Sequence, residues 1–179
     1  MESLKLDVSI AGVSFKNPII AASGTFGFGL EYKKYMDLNQ LGGISVKGLT
    51  LEPRKGNPPP RIAETSSGIL NSVGLQNPGI DHFIEKDLSK LRQYDSIIIA
   101  NINGNTMDEY CHMAAKLHHV PIDMVELNLS CPNVKQGGVS FGTDSKMVYY
   151  ITKAVKEHCG QPLVVKLTPN VTDITEIAL

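Results

Sequence analysis

Met124-Val125-Glu126-Leu127-Asn128-Leu129-Ser130-Cys131-Pro132-Asn133-Val134-Lys135-Gln136-Gly137-Gly138-Val139-Ser140-Phe141-Gly142 is the stretch around which the rest of the chain is organised. Its first part sets Met124, Val125, Leu127 and Leu129 around Glu126 and Asn128, the alternation of a short strand, and Asn128 closes it. Pro132 cannot donate to a sheet ladder and Gly137-Gly138 break a helix, so 130–142 reads as a long loop at the strand's carboxyl end. Cys131 stands at the root of that loop. In α/β proteins built on parallel strands, that edge binds ligands and carries catalytic side chains. Two readings of Cys131 stay open on local sequence: a small buried apolar residue, as most free cysteines are, or a functional group on a polar loop.

A chain of 179 residues buries a real core and reads as a single domain spanning 1–179. Its 17 Lys and Arg against 18 Asp and Glu leave no basic field for nucleic acid. Met1-Glu2-Ser3-Leu4-Lys5 has neither the basic flank nor the apolar run of a signal peptide. No apolar segment approaches the roughly 20 residues that span a bilayer, so the expectation is a cytoplasmic protein with no membrane association. Cys111, Cys131 and Cys159 are scattered and odd in number, which fits neither a disulfide framework nor a metal site.

Working outward, Val8-Ser9-Ile10 and Val13-Ser14-Phe15 across Ala11-Gly12 form a predicted hairpin that caps one end of a larger body. Ile19-Ile20-Ala21-Ala22 is a buried strand running into Ser23-Gly24-Thr25-Phe26-Gly27. A helix is predicted over 30–38, then a strand Gly43-Ile44-Ser45-Val46 ending at Lys47-Gly48. Leu49 to Pro60, with Pro53, Pro58, Pro59 and Pro60, is an extended excursion, followed by a hairpin of 61–65 with 68–71. Ile80, Phe83, Ile84, Leu88 and Leu91 define an amphipathic helix from 80 to 93. Ser96 to Ala100 is a strand ending at Asn101, and Thr106 with Glu109 makes a capping box for a helix to Leu117. After the Met124 strand come a helix over 144–158, a strand Leu163-Val164-Val165 ending at Lys166, and a helix started by Asp173.

Strand, loop and helix in repetition indicate a parallel sheet with crossover helices. Its five core strands end in Ser23, Lys47, Asn101, Asn128 and Lys166. Each alone is an ordinary solvated strand terminus; all five on one rim are better explained by a shared polar ligand. Two lysines with several amides suit an electron-rich planar ring such as a flavin. Lysines at strand ends also bind phosphates or form Schiff bases, and composition does not separate the three.

Four motifs carry a resemblance covering the chain from about Val8 onward. They are A-A-S-G-T-F-G (21–27), G-G-I-S-V-K-G-L-T with E-P-R-K-G-N-P-P-P-R (42–61), N-S-V-G-L-Q-N-P-G (71–79) and N-L-S-C-P-N-V-K-Q-G-G with F-G (128–142). The chain resembles the N-terminal portion of class 1 dihydroorotate dehydrogenases, and more closely the FMN-bearing catalytic subunit of subclass 1B. Class 2 enzymes place serine where Cys131 stands, and subclass 1A runs differently after C-P-N. The resemblance implies an α/β fold, a (β/α)8 TIM barrel, truncated here after about its fifth core strand. Such barrels typically need about 250 residues.

It further implies oxidation of dihydroorotate to orotate in pyrimidine biosynthesis, with Cys131 as the base at C5 while the C6 hydride passes to FMN. Matching positions assign Ser23, Lys47, Gly48, Asn101, Asn128 and Lys166 to FMN. They assign Lys47, Asn71, Ser72, Val73, Gly74, Leu75 and Asn128 to the substrate pyrimidine. The implied partner is an electron-transfer subunit with FAD and an iron-sulfur cluster, in a two-plus-two heterotetramer that delivers electrons to NAD. Other readings are a flavin enzyme acting on another dihydropyrimidine, or a catalytically inert barrel fragment.

Cys111 and Cys159 are expected to pack in or beside helices. His112, His118, His119 and His158 lack a carboxylate or cysteine at ligand spacing, so no metal site is expected. Gly24, Gly27 and Gly29 have the wrong spacing for a dinucleotide fingerprint. Lys135 reads equally as a solvated loop residue or a substrate contact.

Overall fold

The computed structural model describes residues 5–130, 135–136 and 139–179, with side chains at 5–130 and 141–179. Strands β1 (Val8–Ile10) and β2 (Val13–Phe15) form the expected hairpin. Its two-residue turn sets Ala11 and Gly12 at φ of 50° and 83°, the geometry a tight antiparallel connection requires. Then follow β3 (Ile20–Ala21), β4 (Gly43–Ser45), a second hairpin of β5 (Ile62–Thr65) and β6 (Gly68–Asn71), and the helical segments α1 (Ile80–His82) and α2 (Leu88–Leu91). The chain continues through β7 (Ile97–Ile102), α3 (Met107–Leu117) and β8 (Met124–Asn128). After these come the short pair β9 (Lys135–Gln136) and β10 (Val139–Ser140), then α4 (Ser145–His158), β11 (Leu163–Lys166) and α5 (Thr175–Ala178).

The central sheet is five-stranded and wholly parallel, and its spatial order β3-β4-β7-β8-β11 follows the chain without reversal. A doubly wound sheet reverses strand order and so puts helices on both faces. Without a reversal the crossover helices stay on one face, as they do around a β/α barrel.

The two faces are accordingly different. Ile44, Val46, Ile98, Ala100, Ile102, Val125 and Leu127 point outward and pack with Leu91, Met113, Leu117, Ile151 and Val155 of the helices. The other face begins with Phe15, Ile99 and Met124, flanked by Val8, Val13, Ile97 and Val164. The N-terminal hairpin thus plugs the lower end of the inner face. No helix among the described residues is long and apolar enough to cross a membrane.

Several elements differ from expectation. The helix predicted over 30–38 is absent; two 3-10 turns, Leu30–Tyr32 and Leu38–Gln40, stand there instead. Tyr32 is drawn back over the preceding loop, its ring stacked on Phe26 at 4.3 Å and its hydroxyl donating to the Thr25 carbonyl at 2.9 Å. Asp37 then adopts an extended backbone and accepts from Asn39 N, which starts the second turn. The helix over 80–93 forms with a π-helical turn at Phe83–Asp87, which carries the buried Phe83. Thr106 caps α3 as expected, but the Glu109 carboxylate accepts from Asn105 N at 2.6 Å rather than from the cap residue. The last helix begins at Thr175, two residues after the Asp173 carboxylate that accepts from its N–H and hydroxyl.

The hairpin plug makes a direct test. Phe15 is 1% exposed, whereas Tyr35 is 83% exposed. Phe15→Ala is expected to lower unfolding free energy by about 3–5 kcal/mol in chemical denaturation. Tyr35→Ala should stay within about 0.5 kcal/mol of the parent.

Candidate active site

Alternation along β8 sends Val125 and Leu127 into the outer core, so Glu126 and Asn128 must lie on the inner face with Met124. The register places Asn101 opposite Glu126, Glu126 opposite Val164, and Asn128 opposite Lys166. Moving toward the carboxyl ends of the strands, the inner face therefore changes from apolar to polar within two residues. Asn101 lies inside β7 rather than beyond its end, because the strand runs two residues past Ala100.

Side chains on this rim form one hydrogen-bonded network centred on Glu126. Its carboxylate accepts from Ser23 Oγ at 3.0 Å, from Ser45 Oγ at 2.8 Å and from Asn101 Nδ2. Asn101 Nδ2 also donates to Ser23 Oγ at 3.2 Å, and Lys166 Nζ donates to the same hydroxyl at 3.4 Å. At its other end, Asn101 Oδ1 accepts from Asn103 Nδ2 at 2.7 Å and from Asn128 Nδ2 at 3.4 Å. Asn128 Oδ1 accepts from Ser130 N at 3.0 Å and Ser130 Oγ at 2.6 Å, while Tyr110 donates to the Asn128 carbonyl at 2.9 Å. Ser23, Ser45, Asn101 and Asn103 are all buried.

Four of the five expected rim residues, Ser23, Asn101, Asn128 and Lys166, are thereby brought into contact. Lys47 lies between the rungs Val46 N to Ile99 O and Leu49 N to Asn101 O, with its own N–H donated to the Gly27 carbonyl. It is half-buried, and among the described residues its Nζ makes no hydrogen bond or ion pair. A Cβ at Gly48 would overlap Asn103 Nδ2 and lie 3.0 Å from Asn101 Oδ1 and 3.1 Å from Leu75 Cδ1. Gly48 is thus the floor across which Leu75 reaches the network.

The remaining substrate-matched residues are held elsewhere. Ser72 N donates to the Arg61 carbonyl, and the carbonyls of Ser72 and Val73 accept from Asn57. Gly74, at φ 75°, lies so close to Asn57 that a Cβ would come within 2.8 Å of it. Asn71 ends the exposed β6 strand. Leu75 is anchored separately by Asn77, whose Oδ1 accepts from Thr50 N and Gly79 N, and whose Nδ2 donates to the Leu75 carbonyl at 2.8 Å. Leu75 itself has φ of 55°, uncommon for a residue with a side chain.

Cys131 and the side chain of Lys135 lie outside the described residues. Burial pushes the Cys111 thiol up, with Asp108 and Glu157 adding to it, and burial is also the largest cause raising Cys159. Cys159 is buried and Cys111 half-buried, in line with the packing in or beside helices expected for them. Glu126, Ser45, Asn103 and Asn77 were missed as site residues. The available signal was a carboxylate between Val125 and Leu127, on the same face of the strand as Asn128.

A parallel sheet with helices on one face, plugged below and polar above, defines the β/α-barrel class of ligand-binding proteins. The dihydroorotate dehydrogenase family description matches residues 5–179, and the chain belongs to that family. It is 62% identical over 178 residues to the dihydroorotate dehydrogenase B (NAD(+)) catalytic subunit of Alkaliphilus metalliredigens, and 60% identical to that of Alkaliphilus oremlandii. Each alignment covers 99% of this chain and 59% of the relative, so the chain spans under two thirds of their length. A crystal structure of the Eimeria tenella dihydroorotate dehydrogenase in complex with ferulenol shares the fold at TM-score 0.78 and 24% identity. That likeness covers 97% of this chain and 56% of the other.

Gly48 supplies the test of this geometry. Its φ is not left-handed, so the obstacle to a side chain is space rather than conformation. Gly48→Ala should displace the Asn103 amide and lower stability by about 1–3 kcal/mol, read as a shifted denaturation midpoint at unchanged m-value.

Proposed function

We propose that the protein is an FMN-dependent dihydroorotate dehydrogenase that oxidises dihydroorotate to orotate. The observation that carries this reading is the polar rim, in which Ser23, Asn101, Asn128 and Lys166 converge on the inner face of a family-matched sheet.

The residues present fit a flavin. Asn103 Oδ1 is buried without a partner among the described residues, leaving an acceptor available. Half-buried Lys47 is a cation without a counter-ion there. Ser23, Lys47, Gly48, Asn101, Asn128 and Lys166 would hold FMN, which when bound supplies a two-electron hydride acceptor at its N5. Lys47 with Leu75, Asn128 and the Asn71 to Gly74 segment would hold the substrate ring and its carboxylate. Cys131 takes the C5 proton as the hydride leaves C6, which creates the C5–C6 double bond of orotate. A free thiol titrates near 8.5 and the neighbouring carbonyl acidifies the C5 proton, so thiolate is a competent base.

The names of the relatives, catalytic subunits of an NAD(+)-linked type, support a separate electron-transfer subunit. FAD and an iron-sulfur cluster in that partner, in a two-plus-two assembly, would carry electrons onward to NAD. The unreversed strand order and the greater length of the relatives support a (β/α)8 barrel as the architecture of the whole enzyme.

Cys131→Ala in the holoenzyme should slow anaerobic flavin bleaching by dihydroorotate by about 10²–10⁴-fold, the usual contribution of a general base. Dithionite should bleach the same flavin at the parent rate. Unchanged bleaching by dihydroorotate would remove Cys131 from the mechanism.

A further inference from the structure

We infer that Glu126 is a positioning residue that sets both the polarity of the amide network and the electrostatic balance of the flavin site; this rests on the function proposed above. An asparagine amide is ambivalent, since one end donates and the other accepts, whereas a carboxylate only accepts. Asn101 is fully buried, out of reach of bulk solvent. Contact with Glu126 therefore turns Nδ2 toward the carboxylate and Oδ1 away from it. Oδ1 in turn selects the donating ends of Asn103 and Asn128. Asn128 is left with its Oδ1 toward Ser130, whose N–H and hydroxyl it accepts, immediately before Cys131. One carboxylate thus dictates the orientation of every amide up to the root of the catalytic loop.

The charge has a second consequence. Ser23 Oγ donates to Glu126 and accepts from Lys166, so the lysine meets the carboxylate through a single hydroxyl. Lys47 and Lys166 favour the reduced, anionic form of a ring bound beside them, and Glu126 opposes that effect, standing one hydroxyl away from Lys166. Ser45, buried at 2% exposure, donates to Glu126 and disperses part of its charge. Removing the carboxylate's charge must then favour the reduced ring, and removing the Ser45 donor must disfavour it.

The midpoint potential of FMN in the holoenzyme, measured by dye equilibration during reductive titration, reads this without any dihydroorotate. In Glu126→Gln, Oε1 can still accept from Asn101 while Nε2 donates to Ser45, so the shape of the network is kept. The variant should raise the ratio of reduced to oxidised flavin at a fixed potential by about tenfold, which is about 30 mV for a two-electron couple. Ser45→Ala should lower the same ratio by a smaller factor. A Glu126→Gln potential equal to the parent's overturns the inference. If that variant fails to fold or to keep FMN, Ser45→Ala decides alone: a lower potential supports the inference, and an unchanged or raised one overturns it. A parent enzyme that holds FMN but is not reduced by dihydroorotate overturns the proposed substrate and leaves the role of Glu126 standing. A parent that holds no FMN overturns both.

Discussion

Parallel register combined with two-residue alternation is the constraint on which the candidate site depends. Val125 and Leu127 are fully buried in the outer core, and each such side chain contributes about 1.5–3 kcal/mol on leaving water. A slip of one residue in β8 would exchange its faces, exposing both and driving Glu126 and Asn128 into the helices. The packing that fixes the outer face therefore places the inner polar residues as well. An isolated carboxylate on that inner face would be costly to shield from water. Three donors, from Ser23, Ser45 and Asn101, meet it from three different strands or strand ends and offset that cost.

That same alternation explains what could be seen in the sequence and what could not. The five apolar runs and their polar ends were legible because each is local: Ile97 to Ile102 or Leu163 to Lys166 announces itself within a few residues. Cross-strand register is not local. Nothing near Glu126 states that Asn101 lies opposite it, or that Ser45 and Ser23 reach it from strands 81 and 103 residues away. Attention therefore fell on strand ends, while the acceptor that joins them sat in mid-strand. The missing helix over 30–38 has a comparable cause. Local propensity lost to stacking of Tyr32 on Phe26, a contact that folds the chain back over the Ser23 loop.

A second scaffold is built by the 50–79 segment, which leaves the sheet after Leu49 has paired beside Ile102 but is not loosely attached. Asn77 takes the place that a strand partner would occupy, satisfying Thr50 N, Gly79 N and the Leu75 carbonyl with one side chain. Arg54 and Asn77 exchange backbone hydrogen bonds, so the excursion closes on itself before the first crossover helix starts. Leu75 is carried to Gly48 by this closure, whereas Asn71 to Gly74 lean on Asn57 and Arg61. Residues adjacent in one motif are thus supported by two different bodies, the sheet rim for Leu75 and the excursion for the others.

The chemistry of the rim also bears on the alternatives that lysines at strand ends leave open. A lysine that forms a Schiff base is activated by an apolar pocket or a neighbouring cation. Lys166 has neither, since its Nζ meets Ser23 and, through it, the Glu126 carboxylate. A phosphate site draws on backbone N–H groups at a helix N-terminus or nest. Here the convergent groups are side-chain amides and hydroxyls, and the carboxylate among them would repel a fixed dianion. A neutral ring with donors and acceptors on its edge, gaining negative charge only when reduced, tolerates the carboxylate and profits from the lysines. The mixture of one anion, two cations and several amides is thus better matched to a redox ring than to either competitor.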